Sequence, residues 1–292
     1  MDQVVTQQGL DYLWGLSGAH ALRVVDVGAN PIEGTAPYKA LLDKGFCHVT
    51  GFEPQAEALA ALNAQKSDAE TYFPQALGAG GEATLQLYRH SGFTSVFPIR
   101  QDIAQLVGFG RATQTTGEVA ITTTRLDDIA GIGRVDYLKI DVQGSELVII
   151  SNGKTALSDA VLVQTEVRFL PLYDGEPSFG DLDRELRAQG FQFHDFDFLK
   201  RASLRSESHG RLRPRTNRQV VDGDAFYIRD LTKVAEMSDA QLFRLAILAD
   251  AVMKSPNVVL FCLDHLAARG AIGADCATTY LGLLPAALLR DQ

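Results

Sequence analysis

The chain has 292 residues, 46% hydrophobic and 22% charged, enough apolar material for one large domain or a domain with an appendage, and too apolar for disorder. A net charge of −9 argues against a generic nucleic-acid surface, so no nucleic-acid partner is expected. Cys47, Cys262 and Cys276 form no CxxC pair, the N-terminus has no signal pattern, and no apolar run reaches the roughly 20 residues of a membrane span; a cytoplasmic protein with buried free thiols is expected.

In chain order, "LRVVDV" (22–27) reads as a β-rich run ending at Asp26. "TAPYKALLDKG" (35–45) reads as a helix stopped by Gly45. "HVTGFEP" (48–54) is a second strand ending in an acid, and "PQAEALAALNAQ" (54–65) a helix opened by Pro54. "TYFPQALG" (71–78) is read as a third strand with its turn. This βαβαβ order predicts a parallel sheet covered by helices. "EATLQLYRH" and "GEVAITTTRLDD" alternate as a small hairpin or edge extension would, with a loop and a short helix between them. "VDYLKIDVQGSE" (135–146) repeats the first theme: a buried strand ends at Asp141 and a glycine turn follows. "AVLVQTEV" (160–167) is a strand with Glu166 near its end, "FGDLDRELRAQG" (179–190) an amphipathic helix, and 191–196 and 224–230 the last strands. From 231 helical spacing takes over, with Ser238 as an N-cap and Gly270 as a stop. Two parts are expected, a domain over 1–230 and a helical appendage over 231–292 that offers a homodimer contact.

Ligands of open α/β sheets bind beyond the carboxyl ends of the strands. Asp26, Glu53, Gly78, Asp141 and Glu166 fall at such ends, and a rim of carboxylates does not suit a phosphate. There is no GxxxxGK[ST], and Asn30-Pro31 stands where a dinucleotide fingerprint needs its second glycine. A ligand with a ribose for Glu53 and a cationic centre for Asp26 and Asp141 suits this rim, and S-adenosylmethionine is such a ligand.

"VVDVGANP", "GFEP", "ALG", "RLDDI" and above all "VDYLKIDVQGSEL" resemble the FkbM family of S-adenosylmethionine-dependent methyltransferases over residues 22–230. The resemblance implies the class I methyltransferase fold: a Rossmann-like α/β seven-stranded sheet, its last strand antiparallel, with helices on both faces. It implies O-methylation of a sugar, glycan or secondary metabolite. Position by position, it implies that Asp26, Gly28, Ala29 and Asn30 form the cofactor loop. Glu53 matches the ribose acid, Ala76, Leu77 and Gly78 the adenine segment, and Asp141 the fourth-strand motif. The loop departs from the family pattern at Pro31-Ile32-Glu33, reaching its next glycine only at Gly34.

Methyl transfer has a neutral thioether as leaving group, so no metal is required; the enzyme aligns an acceptor oxygen and removes one proton. Asp141 is the first candidate beside the methyl group, with Glu166 and His194 as alternatives, and a metal held by Asp141 and Glu166 is a further option. Glu146 is expected to hold Lys139 or a backbone amide. His90, in an apparent loop, is a candidate acceptor contact. Residues 200–218 hold seven Lys or Arg against one Glu, leaving −15 for the remainder (−9 − 6). Placed between the last two strands, this stretch, with Arg213 and Arg215, is expected to cover the site and draw in an acidic acceptor. A reading from another class is a non-catalytic binding or assembly protein using the appendage as its interface.

Overall fold

The computed structural model describes residues 7–18, 20–30, 34–213, 216 and 218–290. Seven strands form the main sheet: β1 (Leu22–Val27), β2 (Cys47–Phe52), β3 (Glu70–Phe73), β7 (Tyr137–Ile140), β8 (Leu162–Arg168), β9 (Phe191–Ala202) and β10 (Gln219–Arg229). Their order is β3-β2-β1-β7-β8-β10-β9. The first five in that order are mutually parallel. β10 runs antiparallel to β8 and β9. Strand order reverses between β1 and β7, so the crevice for a ligand opens above that pair. This is the class I methyltransferase topology, with the antiparallel last strand that the resemblance implies.

A second sheet of three strands holds β4 (Ala76–Leu77), β5 (Gly81–Tyr88) and β6 (Thr115–Thr124), in the order β4-β6-β5. The expected hairpin is therefore β5 against β6, antiparallel. The expected third strand is two strands in two sheets. Pro74, lacking an N–H for a ladder, stands between β3 and β4. Of the expected helix over 35–45, only Lys39–Asp43 (α2) is regular, and Gly45 closes it at φ +69°. The strand expected over 191–196 runs on to Ala202. Its charged end lies on the edge of the sheet, where lysines are tolerated, so Lys200 and Arg201 belong to a strand rather than to a loop.

Alternate residues of the same strands feed two cores. On one face Val24, Tyr137, Leu162, Phe226 and Ile228 pack with Leu10 and Leu13 of α1 (Gln7–Leu16), and with Leu245 and Leu263 from α7 (Asp239–Ala251) and α8 (Pro256–Ala268). On the other, Val25, Leu138, Val163 and Tyr227 pack with Ile149 and Ile150 of α5 (Glu146–Ser151) and Leu182 and Leu186 of α6 (Phe179–Ala188). Ser238 caps α7 reciprocally with Gln241, and Pro256 opens α8 at a position where its missing N–H costs nothing. The apolar faces of α7 and α8 are thus buried within the chain, against the sheet. Among the described residues no helix is long and apolar enough to cross a membrane.

Candidate active site

The crevice is built by close approach of two strand ends. Gly28, at φ +77°, follows β1; a Cβ there would stand 1.9 Å from the Asp141 carbonyl oxygen that follows β7. Gly28 is required both for its φ and for that approach. Its N–H donates to Phe52 O at 3.0 Å, which ties the loop to the end of β2.

Above this junction lies a cavity of about 210 Å³. Gly28, Asn30, Glu53 and Asp141 line it, together with His90–Thr94 from the connection after β5. Glu166, Phe198, Lys200, Asp222 and Asp224 complete it from β8, β9 and β10. Glu53 is 2% exposed, and its Oε1 accepts the Gln55 N–H at 2.7 Å. Burial raises its proton affinity, with the Gln55 N–H opposing and Asp26 adding to the effect.

Asp26 faces another way. It lines a second cavity, of about 680 Å³, with Ala29, Tyr38, Tyr72, Lys139 and Gln164. Tyr38 Oη donates to its Oδ2 at 2.7 Å, and Lys139 Nζ stands 3.4 Å from Oδ1, which has no hydrogen-bond partner among the described residues. Burial works to lower the Lys139 pKa, but Asp26, Asp141 and Asp224 outweigh it and hold it raised. Asn30, Phe198 and Asp224 line both cavities, which therefore meet at the end of the first loop.

Beside Asp141 the acids are organised by one arginine. Arg168 Nη2 is 2.7 Å from Glu166 Oε2, Nη1 is 2.9 Å from Asp222 Oδ2, and Nε is 3.3 Å from Glu176 Oε2. Burial nevertheless holds the Glu166 pKa well above the usual carboxylate range; Arg168 opposes this, while Asp141, Glu146 and Asp222 add to it. Glu146 accepts the N–H groups of Val142 and Gly144, each at 2.9 Å, and its pKa is pushed up to about 7, chiefly by burial. It binds the backbone amides expected of it, while Lys139 pairs with Asp26. Asp141, Glu146 and Glu166 bring carboxylate oxygens within 4.8 Å of one another. Backbone N–H groups, Gln143 and Arg168 already engage those oxygens, so we read a hydrogen-bonded acid cluster rather than a ligand set.

The model of the FkbM methyltransferase domain family matches residues 26–193, more than half of the chain. The chain belongs to this family. Its methyl donor is S-adenosylmethionine. A curated relative, the 2-O-methyltransferase NoeI of Sinorhizobium fredii, is 36% identical over 63 residues, which are 20% of this chain and 26% of NoeI; the match spans about a quarter of that protein. Among solved structures, magnesium protoporphyrin IX methyltransferase (ChlM) from Synechocystis PCC 6803, with bound SAM, is 13% identical at a TM-score of 0.35, covering 77% of this chain and 79% of that one. TYW2 of M. jannaschii, in complex with AdoMet, is 10% identical at a TM-score of 0.33, covering 78% and 80%.

The rim of this FkbM domain fits the donor on its own chemistry. Gly28 leaves the backbone open where a side chain would intrude, and a buried acid borders the cavity at the end of β2. Gly28, Asn30, Glu53, His90, Asp141 and Glu166 are brought together, whereas Asp26 and Ala29 line the neighbouring cavity. Ala76 and Leu77 are buried in β4, and Gly78 packs on Thr123; these three line neither cavity. His194 lines neither cavity. Its Nε2 lies 3.0 Å from Ser255 Oγ, at the start of α8, and burial lowers its pKa. Of the basic stretch, Lys200 alone among the described residues lines the 210 Å³ cavity. Arg213 is exposed and lines neither cavity, and Arg215 lies outside the described residues, as do Pro31, Ile32 and Glu33 of the first loop. Arg168 and Asp222 were not named from the sequence, and Lys200 was taken only as part of the basic stretch. Their signal was alternation: Glu166 and Arg168, like Asp222 and Asp224, are two apart on strands and share a face.

Proposed function

We propose that the chain transfers the methyl group of S-adenosylmethionine to a hydroxyl oxygen of a neutral, polyhydroxylated acceptor, a sugar, a glycan or a metabolite of similar character. The observation that carries this reading is the cavity lining. Glu53, Asp141, Glu166, Asp222 and Asp224 face one ammonium, Lys200, which is 3.7 Å from Asp222 Oδ2. Such a wall accepts hydrogen bonds from hydroxyl groups and repels anions, which speaks against the acidic acceptor expected from the basic stretch. The 2-O-methyltransferase activity in the name of NoeI supports transfer to oxygen.

When bound, S-adenosylmethionine supplies an electrophilic methyl group whose leaving group is a neutral thioether. Glu53 holds the ribose hydroxyls, and Gly28 and Asn30 form the backbone bed beside them. Asp141 accepts the proton of the acceptor hydroxyl as its oxygen bonds to carbon. Glu166, buried beside it, is the second acid within reach of that proton. His90, whose Nδ1 accepts the Gly92 N–H at 3.2 Å, stands on the acceptor side, and Phe93 lines the same wall. The 91–94 segment excludes water from the reacting atoms.

The test has two steps. Calorimetry with S-adenosylhomocysteine measures binding of the cofactor product. Glycan and metabolite extracts incubated with S-adenosylmethionine are then screened by mass for a gain of one methyl group on oxygen. Absence of binding removes the cofactor reading, and a product methylated on nitrogen or sulfur removes transfer to oxygen.

A further inference from the structure

Gln143 has a left-handed backbone, φ +58°, and Gln143 and Lys254 are the described non-glycine residues with positive φ. L side chains rarely adopt this region, and such outliers gather where a side chain is held for a purpose. Its own carbonyl oxygen accepts the Ser95 Oγ–H at 2.6 Å, which pins the turn.

The side chain is fixed from both ends. Arg168 Nη2 is 3.3 Å and Tyr173 Oη 3.1 Å from Gln143 Oε1. The guanidinium can only donate, so the amide oxygen must face it and the NH₂ must face away. Nε2 is thereby directed between two carboxylates, 3.0 Å from Asp141 Oδ1 and 3.3 Å from Glu166 Oε1. Like charges this close repel, and each raises the cost of ionising the other. One amide donating to both offsets that repulsion and fixes their spacing at the cavity wall, which the half-buried Gln143 itself lines.

We infer that Gln143 is a positioning residue: its amide, oriented by Arg168, bridges Asp141 and Glu166 and keeps both aligned for the acceptor. This rests on the proposed role of Asp141 in proton removal, and adds the group that holds the acid in place. The charged and titratable groups around Glu166 are Asp141 after β7, Glu146 at the start of α5, Arg168 on β8, Tyr173 and Glu176 from the loop after β8, and Asp222 on β10.

Infrared difference spectra recorded against pH follow the Glu166 carboxyl, assigned by its loss in Glu166→Gln, and need neither acceptor nor cofactor. Gln143→Gly removes the amide and at the same time relieves the left-handed backbone, which offsets part of the lost hydrogen bonding and keeps the variant folded. Gln143→Met removes the amide at nearly constant side-chain length and serves as the second variant. In both, the Glu166 midpoint should rise by about one unit, a tenfold change in proton affinity. Binding of S-adenosylhomocysteine should stay within threefold. An unchanged midpoint overturns the bridging role. A loss of S-adenosylhomocysteine binding in step with the midpoint makes Gln143 a cofactor ligand and also overturns it. Failure of the native chain to bind S-adenosylhomocysteine counts against the proposed function instead, and leaves the infrared result to decide on Gln143.

Discussion

Replacing Arg168 by Leu tests the electrostatic logic of the site. Arg168 is 7% exposed, and its guanidinium pairs with Glu166, Glu176 and Asp222 at 2.7–3.3 Å. Its loss leaves Glu166 and Glu176 without their cation and Asp222 with Lys200 alone, at 3.7 Å, and breaking a buried ion pair from one side costs about 3–5 kcal/mol. At about 2 °C per kcal/mol for a chain of this length, the melting temperature at pH 8 should fall by roughly 6–10 °C. The pH dependence carries more information. Glu146, Glu166, Glu176 and Asp222 all hold their protons more tightly than free carboxyls do, burial being the largest cause in each. A carboxyl with a raised folded pKa stabilises the fold below its unfolded value, and that contribution is lost as pH rises through the folded value, about 7 for Glu146. Without Arg168 these values rise further, so protonation rescues the variant as pH falls. Circular dichroism melts at pH 5 and pH 8 measure this: the deficit at pH 5 should be less than half of that at pH 8. An equal deficit at the two pH values would show that Arg168 acts through packing, and would refute the electrostatic account.

Glu53→Ala should weaken S-adenosylhomocysteine binding at least tenfold in calorimetry, since a hydrogen bond to a charged group is worth about 1.5–3 kcal/mol; unchanged affinity would take the ribose away from Glu53. Asp141→Asn should cut turnover of the methylated product far more than it changes S-adenosylhomocysteine affinity, and a parallel fall in both would make Asp141 a cofactor ligand. Ending the chain at Asp230 uncovers Val24, Tyr137, Leu162, Phe226 and Ile228 on one face of the sheet. The product should be insoluble or melt without cooperativity, whereas a sharp melt with native S-adenosylhomocysteine binding would contradict the packing described.

The strand-acid-glycine pattern was readable because it has local causes. "VVDVG" and "KIDVQG" each combine β-branched residues, an acid at the sheet rim and a turn that only a special backbone satisfies, and both reached the crevice as expected. Side-chain direction was less readable. Asp26, the last but one residue of β1, turns to Tyr38 and Lys139, whereas Glu53, just past β2, faces the cavity above Gly28. That choice depends on which helix covers each strand, a long-range matter. His194 was misplaced for the same reason: its partner, Ser255, is 61 residues away. The length of β9 was hidden because an edge strand carries charges that read as loop. The break in β3–β4 had a local signal in Pro74, which a longer alternating run masked.

The C-terminal helices also set the order in which the chain can finish folding. During synthesis Ile228 of β10 leaves the ribosome before the helices that will cover it, and α1, made first, must wait for α7 as well. Roughly forty residues separate Ile228 from Leu266, about two to eight seconds of translation at 5–20 residues per second. For that interval a nearly complete sheet presents bare valine, leucine and phenylalanine to its surroundings. A nascent chain stalled inside this window is therefore the species most in need of a chaperone.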